Sequence, residues 1–179
     1  MLLYFFTLKG CTHFKGENFK IINKLKTNKL KYFKNNFKNE LFNHYSENEL
    51  LIIGSLIEKE GLDENDKRLI SSVIFNRLNK RMKLQIDATV LFALTNGRYD
   101  LERKLLISDL KIDHPFNTYM YKGLPPKPIS YVGKKTLDII FENNKSDFLF
   151  YFFNNSLNRH IFSKTFNEHK NKLNEYRNK

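Results

Sequence analysis

Two carboxylates, Glu58 and Glu60, stand two residues apart at the end of an apolar run, Leu50-Leu51-Ile52-Ile53 followed by Leu56 and Ile57. The run predicts a helix buried along most of its length, with its last turn at the edge of a core. A carboxyl held at such an edge is partly desolvated, which raises its pKa and lets it deliver a proton near neutrality. Residues two apart lie about 200° apart around a helix, so only one of the pair can face a given cleft. Taken alone, Glu-Lys-Glu at a helix end is more often a solvated face than a site.

Other residues could join such an acid. Asn76-Arg77, Gln85, Asp87, Thr89, Asn117-Thr118-Tyr119 and His160 are polar positions within segments expected to be ordered. Amides, carboxylates and aromatic hydroxyls around an acid suit a sugar chain, which presents many hydroxyls and flat apolar faces. Each also has a plainer reading: Asn76 and Arg77 could end a helix, and Asp87 could cap the one beginning near Thr89. Nucleophilic chemistry has little support. Ser55 lacks the Gly-x-Ser-x-Gly setting, and Cys11, the one cysteine, has only His13 near it. The five histidines (13, 44, 114, 160 and 169) lack zinc spacing, so neither metal nor cofactor is expected.

The elements that must position these groups follow from pattern. Ser46-Glu-Asn-Glu49 is a capping box that opens the helix ending at Gly61. Asp63 or Asp66 caps the next helix, whose apolar face is Leu69, Ile70, Val73, Ile74 and Leu78. An irregular polar stretch, Met82 to Asp87, leads to a short helix over Thr89–Leu94 and a turn at Asn96-Gly97. A loop from about 107 to 132 holds all four prolines, at 115, 125, 126 and 128, and is expected to form a shaped wall. After a helix near 134–143, Phe148–Phe153 reads as a buried strand that returns as His160–Ser163. Thr165-Phe-Asn-Glu168 then opens a C-terminal helix. The fold class is α+β, mainly helical with a small antiparallel sheet.

At 179 residues and 41% hydrophobic content the chain suits one folded domain with a small appendage. Residues 15–38 carry eight lysines against one glutamate, interleaved with Ile22, Leu25, Leu30, Phe33 and Phe37, which predicts a basic amphipathic helix from about 17 to 43. The formal net charge of +12 points to a polyanionic partner: nucleic acid, an anionic membrane surface or an acidic cell-wall polymer. No nucleic-acid motif accompanies the charge, so nucleic acid ranks last. The apolar start, Met1–Phe6, stops at Lys9, too short for a membrane span or a signal-peptide core.

Six motifs occur in one order. They are Ser55-x-Ile57-Glu58-Lys59-Glu60; Asn76-Arg77-Leu78; Met82-x-Leu84-Gln85-x-Asp87-x-Thr89-Val90; Asn117-Thr118-Tyr119; Gly123-Leu124-Pro125-Pro126-x-Pro128-Ile129; and His160-x-Phe162-Ser163-x-Thr165-x-x-Glu168-His169. In this order and spacing they resemble the YceG-like family of endolytic lytic transglycosylases of the bacterial cell wall (MltG), over about residues 46–172. Ala88 stands where the family usually has Pro, and Tyr131-Val132-Gly133 where it usually has Asn-Pro-Gly. The family normally begins with a transmembrane helix and a small LysM-like subdomain. Residues 1–45 are therefore read as a basic, partly helical remnant of the preceding region, and 46–179 as the catalytic domain. A shortened N-terminus is expected.

The resemblance implies cleavage of the β-1,4 bond between N-acetylmuramic acid and N-acetylglucosamine. One Glu protonates the leaving oxygen, then takes the proton from the muramic acid C6 hydroxyl as a 1,6-anhydro ring closes. In the wider lytic transglycosylase group the catalytic Glu ends its helix before a small residue, which favours Glu60, with Glu58 as the alternative. Asn76, Arg77, Gln85, Asp87, Thr89, Asn117, Thr118 and Tyr119 are the candidate substrate contacts. Peptidoglycan glycan strands are the implied partner, with peptidoglycan synthases as a further one. The periplasmic face of the bacterial inner membrane is the implied location. The competing reading is an inactive, wall-glycan-binding remnant.

Overall fold

The computed structural model describes residues 17–178. The apolar Met1–Phe6, Cys11 and His13 lie outside the described residues. The element order is α1 (Glu17–Asn36), a 3-10 turn (Glu40–Asn43), α2 (Glu47–Glu60), α3 (Glu64–Asn79), α4 (Asp87–Thr95), a 3-10 turn (Asp109–Lys111), α5 (Lys134–Glu142), β1 (Phe150–Asn154), β2 (Arg159–Ser163) and α6 (Phe166–Arg177). This is a mainly helical α+β fold with a two-stranded antiparallel sheet.

The helix α2 is the axis of the core. Every residue from Leu50 to Ile57 is buried, so it is covered on all sides, by α3, α4 and α5. Ser46 and Glu49 form the reciprocal capping box that sets its start. Gly54 lets the chain approach closely, because a Cβ there would lie 2.6 Å from a Val132 methyl. Beside it, Ser55 Oγ accepts the Ile129 N–H at 3.0 Å, and Ser130 Oγ donates to the Ser55 carbonyl at 2.9 Å. These bonds fasten the end of the proline-rich segment onto α2.

The predicted basic helix is shorter than expected. It stops at Asn36, and Asn39 then caps the 3-10 turn with its side chain while also donating to the Phe141 carbonyl. Phe33 and Leu41 are buried in the same cluster as Leu50 and Ile140, so this part of the basic region packs on α5 and α2. The short fourth helix starts at Asp87 rather than Thr89, and its cap residue is Ile86, with no side-chain capping bond. Asp87 is therefore not the cap. At the C-terminal helix Thr165 caps as expected, but Glu168 accepts the N–H of Lys164. Among the described residues, no helix is long and apolar enough to cross a membrane.

The hairpin pairs Tyr151 with Phe162 and Phe153 with His160. Because strand side chains alternate, these four share one face, while Phe150, Phe152 and Ile161 share the other. The second face meets α6, where Phe152 packs on Tyr176 at 5.7 Å and Phe150 on His169 at 5.5 Å. The first face is free to serve the end of α2.

Candidate active site

The last turn of α2 sends its two glutamates into unlike surroundings. Glu58 turns toward α3 and α5. Its Oε2 accepts from Lys67 Nζ at 2.5 Å, and its Oε1 accepts from Thr136 Oγ1 at 2.7 Å and the Gly133 N–H at 2.8 Å. Burial pushes the pKa up, but these three donors outweigh it and hold Glu58 below the ordinary carboxylate value. Gly61 makes this possible. Its backbone is ordinary and extended, yet a Cβ there would sit 2.3 Å from Lys67 Cγ, on the path by which Lys67 reaches Glu58.

Glu60 faces α4 and the hairpin instead. Tyr151 donates its hydroxyl to Glu60 Oε2 at 3.2 Å. Burial pushes the Glu60 pKa up and the nearby Asp87 carboxylate pushes it further. The Tyr151 hydroxyl, the His160 ring and the Ala88 N–H act in the opposite direction but do not cancel the rise. No Lys or Arg among the described residues forms an ion pair with Glu60. The result is a carboxyl biased toward its protonated form. The Ala88 N–H is a donor that the usual Pro could not supply.

Asp87 opens α4, is exposed, and accepts the Tyr119 hydroxyl at 2.5 Å. Burial and the Asp87 carboxylate together keep that phenol protonated, well above its usual range. Gln85, also exposed, has a left-handed backbone (φ 51°), fixed by its N–H bonding the Thr118 carbonyl at 3.2 Å. Behind the hairpin face, His160 Nδ1 lies 2.8 Å from Asp66 Oδ2, and its ring stands edge-on to Tyr151 at 5.3 Å. Asp66 also accepts the Leu62 N–H at 3.0 Å, so one carboxylate joins the α2–α3 turn to the strand carrying His160.

Five of the sequence-derived candidates are spent inside the protein. Asn76 donates to the carbonyls of Ser146 (2.7 Å) and Phe148 (2.9 Å). Arg77 is buried, donates to the carbonyls of Leu149 (2.6 Å) and Leu84 (2.6 Å), and lies over the Phe150 ring at 5.2 Å. Burial lowers its pKa from the usual guanidinium value. Thr89 and Thr118 bond each other at 2.9 Å, and Thr118 Oγ1 also accepts the Ile86 N–H. Asn117 is fully buried, donating to the carbonyls of Leu110 and Ile112 and accepting the Tyr119 N–H. These side chains fix the loops that carry Gln85, Asp87 and Tyr119. Of those three, Asp87 lies within electrostatic reach of Glu60, Tyr119 is bonded to Asp87, and Gln85 is exposed two residues before it.

Tyr151, Asp66, Lys67 and Thr136 did not stand out as site residues in the sequence. Tyr151 lies hidden in the apolar run Phe148–Phe153, Asp66 and Thr136 meet their partners far along the chain, and Lys67 reaches Glu58 across the α2–α3 turn. A groove of about 630 Å³ begins at Asp87 and Ala88 and runs along α4 past Leu91, Phe92 and Thr95 to the 97–105 segment. Among the described residues, no cluster of three or more His, Cys, Asp or Glu side chains could hold a metal ion.

Comparison with known proteins bears on the family and the fold. The model of the YceG-like family matches residues 12–175. An endolytic murein transglycosylase of Bacillus subtilis is 40% identical over 134 residues, covering 75% of this chain and 36% of the relative. One from Streptococcus pneumoniae is 37% identical over 107 residues, covering 58% of this chain and 19% of the relative. The chain thus spans about a third or less of the length of these relatives. A crystal structure from Listeria monocytogenes, described as YceG-like, superposes with a TM-score of 0.74 at 36% identity, over 94% of this chain and 52% of that one. On the match across nearly its whole length, the chain belongs to the YceG-like family.

Proposed function

We propose that this chain is an endolytic peptidoglycan lytic transglycosylase, with Glu60 as its acid and then its base. The observation that carries the reading is a carboxyl at a helix end, with no Lys or Arg among the described residues ion-paired to it, held toward its neutral form beside Asp87 and a long groove. A neutral Glu60 protonates the glycosidic oxygen as the bond to it breaks. The ionised Glu60 then accepts the proton of the C6 hydroxyl as that oxygen closes onto the anomeric carbon, giving the 1,6-anhydro ring. The proton gained equals the proton lost, so the enzyme returns to its starting state. Asp87, whose carboxylate accepts the Tyr119 hydroxyl, supplies negative charge to the oxocarbenium-like transition state. Gln85 and Tyr119 are the proposed grips on sugar hydroxyls.

The names of the curated relatives, endolytic murein transglycosylase, support the same substrate class. The corresponding place of action is the cell wall outside the cytoplasmic membrane, with peptidoglycan synthases as partners. The test is digestion of purified peptidoglycan, with mass spectrometry of the fragment ends. The expected products carry 1,6-anhydro ends. Reducing ends would mean that water, activated by Asp87, is the nucleophile, and no products at all would leave a binding remnant.

A further inference from the structure

The groove beside α4 changes character along its length. At the end near Glu60 the lining holds one cation, Lys59, and one carboxylate, Asp87, with Ala88 and apolar side chains of α4. At the far end it is lined by Arg98, Arg103 and Lys104, with Asp100 the opposing carboxylate there. Hydroxyls and N-acetyl groups do not call for a concentration of cations. Carboxylates do.

The basic end is also braced. Arg103 makes two bonds to Asp109, at 2.6 and 3.0 Å, and Asp109 accepts the Leu106 N–H at 2.8 Å. Arg103 lowers the Asp109 carboxyl to about 2, so the brace persists through any working pH. It consumes Arg103 but leaves Arg98 and Lys104 exposed, and neither forms an ion pair with any described carboxylate. Leu101 and Leu105 line the wall beside the cations. Small apolar groups alternating with carboxylates fit this wall better than sugar rings do.

We propose that Arg98 and Lys104 bind carboxylates carried on the glycan strand, so that the groove selects a carboxylate-substituted glycan over a neutral one. The carboxylate has two sources in a wall glycan: the stem peptide where one is attached, or the lactyl group of a sugar from which the peptide has been removed. The proposal rests on the activity reading only in placing the strand against Glu60.

The test measures equilibrium binding of soluble fragments by the Glu60→Gln protein and by the same protein carrying Arg98→Ala and Lys104→Ala. Three probes are used: chitotetraose, peptide-bearing glycan tetrasaccharide, and that tetrasaccharide after amidase treatment. The double substitution should weaken the peptide-bearing fragment by about three- to tenfold, the range of two exposed ion pairs, and leave chitotetraose unchanged. If the amidase-treated fragment, whose lactyl carboxyl is freed from its amide, weakens equally, either carboxylate is accepted. If it escapes, only the peptide's carboxylate is recognised. Either result supports carboxylate recognition. Equal loss for all three probes, or none for any, overturns it. Thermal melts of both proteins should coincide, since both side chains are exposed. A wild-type chain that cleaves nothing but shows this binding pattern would sink the activity reading and leave this one standing. Cleavage without the pattern would do the reverse.

Discussion

Glu58 and Glu60 share a helix turn, a residue type and one intervening lysine, yet they sit in opposite chemical settings. On the Glu58 side, Lys67 from α3 and Thr136 from α5 converge on one carboxylate with the Gly133 N–H. On the Glu60 side the neighbours are Tyr151, Ala88 and a second carboxylate, Asp87. Burial disfavours ionisation at both. At Glu58 the donors win, and at Glu60 burial and like charge win. The difference teaches that position on the helix only aims the side chain. What the side chain meets there decides whether it serves as a structural anion or as an acid.

The contrast can be broken most forcefully at the acid. Glu60→Gln should lower the rate of anhydro-product formation by about 10²–10⁴-fold, the usual contribution of positioned acid–base help, with the melting temperature nearly unchanged. A mass-spectrometric time course checks this, and full activity in the variant would remove Glu60 from the mechanism.

Glu58→Gln should do the converse. It leaves Lys67 facing an amide in a site where both side chains are less than a quarter exposed, costing on the order of 2 kcal/mol, while activity per folded molecule survives. Because the folded-state pKa of Glu58 is depressed, its contribution is present above the ordinary carboxylate range and is lost as pH falls through the folded pKa. Denaturant melts of wild type and variant should therefore converge in acid; a gap independent of pH would show that Glu58 acts through packing alone.

A smaller effect is expected at Gly61→Ala. The new methyl displaces Lys67 from its path, at about 1 kcal/mol, and the loss should largely vanish in the Glu58→Gln background. Additive losses in that double-variant cycle would separate Gly61 from the ion pair.

Two substitutions tune the acid without removing it. Activity needs protonated Glu60 and falls as pH rises through its pKa. Asp87→Asn removes a like charge, so the alkaline limb of the pH–rate profile should move down. Tyr151→Phe removes a donor to the carboxylate, so the same limb should move up. Shifts in the same direction would contradict the electrostatic account of Glu60.

Local signals made part of this molecule readable from sequence. The Ser46–Glu49 capping box and the apolar run behind it define α2 through contacts within one helix turn. The hairpin was legible from the apolar run Phe148–Phe153 and its return at His160–Ser163, although β1 begins only at Phe150 and is mostly half-buried rather than buried. Function was harder, because polar side chains in a motif do not announce where they point. Thr89 and Thr118 read as sugar contacts, yet they bond each other across 29 residues. Asn117 sits at the centre of its own loop, satisfying carbonyls that no local pattern exposes. Tyr151 was the reverse case: a phenol in an apolar strand, given its role only by the register that places it over Glu60. The braced basic segment after α4 carries no local pattern of its own, since its meaning depends on the groove it borders.

The separate titration of the two carboxylates tests the central claim most directly. Side-chain carboxyl carbons of Glu58 and Glu60, labelled and assigned by Glu→Gln substitution, can be followed by NMR across the acid range. Glu60 should titrate above the ordinary glutamate value and Glu58 below it. Equal midpoints, or the reverse order, would contradict the division of labour at the end of α2.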